Sequence, residues 1–121
     1  MFNIADEKVF ENKIKKMLKD NGAYFVKFFA NSFTRSGVPD ILACVNSYFV
    51  AIEVKAEHGQ PSELQIYNIE QIRKAGGFAF IVYPSGYDEL CRIIKNLTFG
   101  YYNDINTMPL ILRKEKKNYE K

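Results

Sequence analysis

Gly37-Val-Pro-Asp40-Ile-Leu-Ala-Cys-Val45-Asn-Ser-Tyr48-Phe-Val-Ala-Ile-Glu53-Val-Lys55 is the stretch that decides the fold. Two apolar runs flank Asn46-Ser47, a two-residue turn signal, and this makes them partners in an antiparallel hairpin. Pro39 has no N–H for a ladder and belongs at a strand start, so Asp40–Val45 reads as one strand and Tyr48–Ala56 as its partner. Side chains alternate along a strand. Tyr48, Val50, Ile52 and Val54 therefore share one face, and Phe49, Ala51, Glu53 and Lys55 share the other. Antiparallel pairing sets the start of the first strand beside the end of the second, so Asp40 is expected next to Glu53 and Lys55 at one end of the sheet.

Upstream of the hairpin, Phe10, Ile14, Met17 and Leu18 form an amphipathic stripe that predicts a helix over about Asp6–Asn21, stopped by Gly22. Ala23–Ala30 is dense in Tyr, Phe and Val and reads as a strand, followed by a polar loop from Asn31 to Gly37. Downstream, Ser62–Ala75 reads as a helix ended by Gly76-Gly77, and Phe78–Tyr83 as a short buried strand. Two strands separated by a helix of this length imply a βαβ crossover, with the later strand parallel to an earlier one. A third helix is expected over about Gly86–Leu97, with Leu90, Ile93, Ile94 and Leu97 on its buried stripe. The fold class is α/β, a core of order αβββαβα with a central mixed sheet flanked by helices, over residues 1–98. Residues 99–121 are expected to form a peripheral hairpin, from Phe99–Tyr102 and Pro109–Leu112, and a Lys-rich tail of the same domain.

At 121 residues with 47% hydrophobic content, the chain suits one domain with a real core. The net charge of +3 permits a nucleic-acid partner without arguing for one. No stretch approaches the length of a membrane span, and the acidic start of the chain is unlike a signal peptide, so a cytoplasmic protein is expected. Cys44 and Cys91 read as small buried hydrophobes with no zinc or disulfide spacing. Most of the Phe and Tyr residues are expected in the core; Phe99, Tyr101 and Tyr102 are expected to pack against apolar neighbours, with stacking on bases as the alternative.

Two carboxylates meeting at a strand end repel one another unless a cation lies between them, and hard oxygen ligands suit Mg²⁺ or Mn²⁺. With a lysine alongside, Asp40, Glu53 and Lys55 make a hydrolytic site in which a metal-bound water attacks and the ammonium orients it or stabilises charge on a phosphate. The bland alternative is a charged pair on a solvated strand face and a turn-capping Asp. It requires three coincidences at one sheet end.

Asp40 followed by Glu53-x-Lys55 resembles the PD-(D/E)xK nuclease superfamily, and Arg35-x-Gly-Val-Pro-Asp40, Ala-Ile-Glu53-Val-Lys55, Gln65 and Gly76-Gly77 resemble its VRR-Nuc branch over roughly Val9–Leu97. The resemblance implies an endodeoxyribonuclease with Mg²⁺ or Mn²⁺ bound by Asp40, Glu53, the backbone carbonyl of Val54 and a helix carboxylate. Glu11 matches the family position for that carboxylate, with Glu7 as its rival. It implies a supporting role for Gln65 in catalysis, although Ser62-x-x-Gln65 is also a capping box. Resemblance to stand-alone, often phage-encoded members implies a homodimer acting on branched DNA such as Holliday junctions or flaps. The alternatives are a nuclease with sequence or single-strand preference and a DNA-binding module without chemistry. Arg35, Thr34 and Ser36 stand where they can reach a phosphate or merely decorate a loop. His58 reads as a solvated turn residue.

Overall fold

The hairpin turn predicted at Asn46-Ser47 forms with both residues in the left-handed region, at φ 48° and 78°, the backbone of a type I′ turn that follows the natural twist of its strands. A computed structural model of the protein describes residues 4–29, 36–101 and 104–114. Its elements run α1 (Ile4–Asp20), β1 (Tyr24–Lys27), β2 (Ile41–Val45), β3 (Tyr48–Val54), α2 (Glu63–Lys74), β4 (Phe78–Val82), α3 (Tyr87–Thr98) and β5 (Ile111–Leu112), with 3-10 turns at Pro84–Gly86 and Ile105–Thr107. This is the expected αβββαβα order with one more strand.

The five strands lie in the order β1-β2-β3-β4-β5. β1, β2 and β3 form an antiparallel meander, with Ile41 opposite Ile52. Helix α2 then carries the chain over to β4, which runs parallel to β3, as the crossover reading requires. One face of the sheet packs Ile41, Ala43, Val50, Ile52, Val54, Phe80 and Val82 against Phe10, Ile14 and Leu18 of α1 and Leu90, Ile94 and Leu97 of α3. The other face packs Ala51, Ala79 and Ile81 against Ile69 of α2. Strand β4 is covered on both faces, which is why its sequence is uninterruptedly apolar.

Several expectations are corrected. Among the described residues, no hairpin joins 99–101 to Pro109–Leu112. Ile111-Leu112 instead extends the sheet, parallel to β4, while 99–101 is not strand and Tyr102 lies outside the described residues. The guanidinium of Arg73 on α2 holds this segment down, donating to the carbonyls of Ala79 (2.8 Å), Met108 (2.9 Å) and Pro109 (2.7 Å). Cys44 is exposed, because α2 covers the β3–β4 half of its face and leaves the row Tyr24, Cys44, Phe49 in the open. Phe99 and Tyr101 are likewise exposed. The ladder is also shorter than read, over Tyr24–Lys27 and Tyr48–Val54, with Ala30 outside the described residues. No helix among the described residues is long and apolar enough to cross a membrane.

Candidate active site

Asp40 precedes β2, and its backbone carbonyl accepts from Phe28 N–H at 2.8 Å, which continues the β1–β2 pairing past the last ladder residue. Its side chain turns to the other neighbour, where Oδ2 accepts from Val54 N–H at 2.8 Å. A backbone donor at the end of β3 thus fixes one carboxylate oxygen. The approach to Asp40 depends on Gly37. At φ +78° it is in the glycine region, and a Cβ there would lie 2.8 Å from both Asn68 Nδ2 and Leu64 Cγ of α2. Asn68 in turn donates to Leu64 O at 2.9 Å and reaches Ser36 O at 3.5 Å, tying the motif loop to the helix.

Glu53 and Lys55 project from the α2 face, as alternation demands, and their ion pair spans 3.5 Å. Glu53 is 3% exposed. Burial pushes its carboxyl up, the neighbouring Asp40 carboxylate pushes it further, and Lys55 only partly opposes this, so its pKa stands at about 8. Gln65 comes in from the first turn of α2 and donates through Nε2 to Glu53 Oε2 at 2.9 Å. The structure brings Asp40, Glu53, Lys55 and Gln65 together at one end of the sheet.

Helix α1 approaches that end from the opposite face. Glu11 is buried, and Lys27 of β1 donates to its Oε1 at 3.0 Å. Lys15 Nζ lies 2.9 Å from its Oε2 as an ion pair, an oxygen that is buried and makes no hydrogen bond. Burial raises the Glu11 carboxyl, but the two lysines outweigh it and hold it below the usual range. Glu7 behaves differently: burial raises it, the charge of Asp40 raises it again, and Lys55 pulls it back. Glu7 thus feels the charges of Asp40, Lys55, Glu11 and Lys27, whereas Glu11 is in direct contact with Lys15 and Lys27. Lys27 also reaches Asp40 Oδ1 at 3.4 Å. No group of three His, Cys, Asp or Glu residues converges as an ion cage among the described residues.

Lys27 is the residue that sequence reasoning missed. Its signal was present, as the one charge in the aromatic run Tyr24-Phe-Val-Lys27-Phe-Phe29. Of the expected phosphate contacts, Ser36 is exposed, and Thr34 and Arg35 lie outside the described residues. His58 is exposed in its turn.

Comparison with known proteins agrees with this architecture. A structure of Hjc from Archaeoglobus fulgidus, a Holliday junction resolvase from an archaeal hyperthermophile, superposes with a TM-score of 0.51 at 21% identity, covering 63% of this chain and 66% of that one. The likeness shows a shared fold over just under two thirds of that protein's length. No curated protein matches the chain. The sequence profile of the family described as archaeal Holliday junction resolvase (Hjc) matches residues 5–90, from α1 into α3 and across every residue of the site. With most of its length matched, the chain belongs to the archaeal Holliday junction resolvase (Hjc) family.

Proposed function

We propose that this protein is a metal-dependent endodeoxyribonuclease that cuts branched DNA, a Holliday junction or a flap. The carrying observation is the apposition of the Asp40 and Glu53 carboxylates beside Lys55 at the sheet end, where burial and the Asp40 charge raise the Glu53 carboxyl. Two carboxylates this close at a strand end repel one another, and a divalent cation held between them removes the repulsion. The donor set suits Mg²⁺ or Mn²⁺, which bind through one or two carboxylates and keep water and substrate oxygens as further ligands. Asp40 and Glu53 would hold the ion together with the Val54 carbonyl, which points to the same strand edge as the Val54 N–H that binds Asp40. Glu11, expected as a further ligand, stands one lysine away.

A bound ion of this kind lowers the pKa of water and offsets charge developing on a phosphate. Lys55 supplies an ammonium beside Glu53 that orients the attacking water or stabilises the phosphorane-like charge. Gln65 keeps Glu53 from rotating away. Ser36, with Thr34 and Arg35, is assigned to the DNA backbone. The substrate class is supported by the family name of the matched profile and by the A. fulgidus relative, itself a resolvase. The resemblance of Arg35-x-Gly-Val-Pro-Asp40 to the VRR-Nuc branch, whose stand-alone members are often phage-encoded, supports a homodimer working in the cytoplasm, that of the host cell if the protein is phage-encoded.

Incubation of the pure protein with labelled four-way junction, flap, single-stranded and linear duplex DNA, with Mg²⁺, Mn²⁺ or EDTA, tests the reading. Metal-dependent cleavage of a branched substrate is expected. Cleavage of linear duplex alone would remove the branched-DNA assignment, and no cleavage of any substrate would remove the chemistry.

A further inference from the structure

Lys27 ends β1 on the α1 side of the sheet, and its ammonium stands between two carboxylates, 3.0 Å from Glu11 Oε1 and 3.4 Å from Asp40 Oδ1. The second oxygen of Glu11 faces Lys15 at 2.9 Å, with Lys8 at 4.0 Å. Asp40 has its other oxygen on Val54 N–H. Two negative groups that would otherwise repel are thus joined by one positive group, in a pocket where the Lys27 and Glu11 side chains are only 19% and 6% exposed.

Two-metal nucleases hold a pair of ions about 4 Å apart, bridged by shared oxygens. Beside an ion held by Asp40 and Glu53, the place for a second would be between Asp40 and Glu11. That place is filled by a residue of the chain itself. We propose that Lys27 is the built-in second cation of the site: the protein binds a single divalent ion at Asp40 and Glu53, and Lys27 positions Asp40 while neutralising Glu11. The inference rests on the metal site proposed above. It gives Glu11 a definite part, as the counter-ion that holds Lys27 in place, and explains why a carboxylate so deeply buried is surrounded by lysines. An ammonium is suited to this task because it cannot be a metal ligand while protonated and cannot be lost to a chelator.

Mn²⁺ binding to the full chain, followed by electron paramagnetic resonance and calorimetry, tests it independently of cleavage. The wild type and Lys27→Arg are expected to take up one ion per chain. Lys27→Met leaves Glu11 and Asp40 facing each other without a cation and is expected to take up two. The double variant Lys27→Met, Glu11→Gln returns to one. Two ions on the wild type would overturn the proposal whether or not any variant folds, and so would a folded Lys27→Met that binds one ion with wild-type affinity. Failure of the underlying metal site has a different signature: no ion on the wild type, or uptake indifferent to Asp40→Asn and Glu53→Gln.

Discussion

Gln65 and Glu53 are joined by a 2.9 Å hydrogen bond from the amide Nε2 to the carboxylate Oε2, and the same amide closes a capping box. Gln65 Oε1 accepts from Ser62 N–H at 2.9 Å, and Ser62 Oγ accepts from Gln65 N–H at 3.1 Å. The helix cap and the site are therefore one conformation. Because the cap fixes which way the amide oxygen points, it also fixes the NH₂ group toward Glu53.

Gln65→Glu keeps an acceptor for Ser62 N–H but replaces the donor on Glu53 with a negative charge. Cleavage and Mn²⁺ binding are expected to weaken, with their pH profiles displaced to higher pH. Gln65→Ala loses both contacts and is expected to cost about 1 kcal/mol of stability from the cap. Thermal unfolding and pH–rate profiles of the two variants check this. An unshifted profile in Gln65→Glu would leave Gln65 as a cap alone.

The raised Glu53 carboxyl makes stability depend on pH in a definite direction. Unfolded, Glu53 loses its proton near the ordinary value of 4.5, whereas in the ion-free native protein it keeps it up to about 8. The native state binds the extra proton between those limits, so stability falls as pH rises through that window. Urea unfolding in EDTA should show the decline, and Glu53→Gln should flatten it. Glu11 acts oppositely and at lower pH: its depressed carboxyl stabilises above its unfolded value and loses that contribution in acid. Divalent ions should restore stability most at the alkaline end, where Glu53 can ionise to receive them.

Asp40→Asn, Glu53→Gln and Lys55→Ala should each reduce cleavage by about 10²-fold or more while the circular dichroism spectrum and junction binding persist. Asn at position 40 can still accept from Val54 N–H, so the strand ends stay tied; it loses the charge that Lys27 and a metal require. An active Glu53→Gln protein would refute the assignment of the active site to Glu53 and its neighbours. Junction binding can even tighten in the carboxylate variants, since a negative charge beside the phosphate is removed.

Arg73→Met should destabilise the protein by about 2 kcal/mol, because it leaves the carbonyls of Ala79, Met108 and Pro109 without their donor. The loss should fall on the segment leading into β5, seen as faster proteolysis between residues 104 and 110, with cleavage of DNA unchanged. A variant as stable as wild type would mean that the β4–β5 pairing holds this segment unaided.

A chain carrying one Asp40–Glu53 site must pair to cut two strands of a junction together. Light scattering is expected to report a dimer, and competitive gel shifts in EDTA a preference for four-way junction over linear duplex of equal length. The modest net charge of +3 favours this, since it supplies little non-specific attraction at physiological salt. A monomer binding both DNAs equally would refute the branched-DNA reading and leave the hydrolytic chemistry standing.

The central hairpin and the Asp40, Glu53, Lys55 group were legible in the sequence because they depend on local rules. A two-residue turn sets the register, and period-two alternation then places Glu53 and Lys55 on one face and brings Asp40 beside them. The helix limits followed from Ser62, Gly22 and Gly76, whose effects extend over a single turn of chain. What lies between elements was decided by tertiary packing. The Lys27 contact with Glu11 joins residues sixteen positions apart on a helix and a strand that meet only because Phe10, Ile14 and Leu18 dock on the sheet. Cys44 is exposed for a reason of the same kind: its strand pattern is that of a buried residue, but whether a face is covered depends on where α2 crosses, and α2 lies over β3 and β4. Alternation determines which side a residue faces; only the assembled layers determine what it meets there.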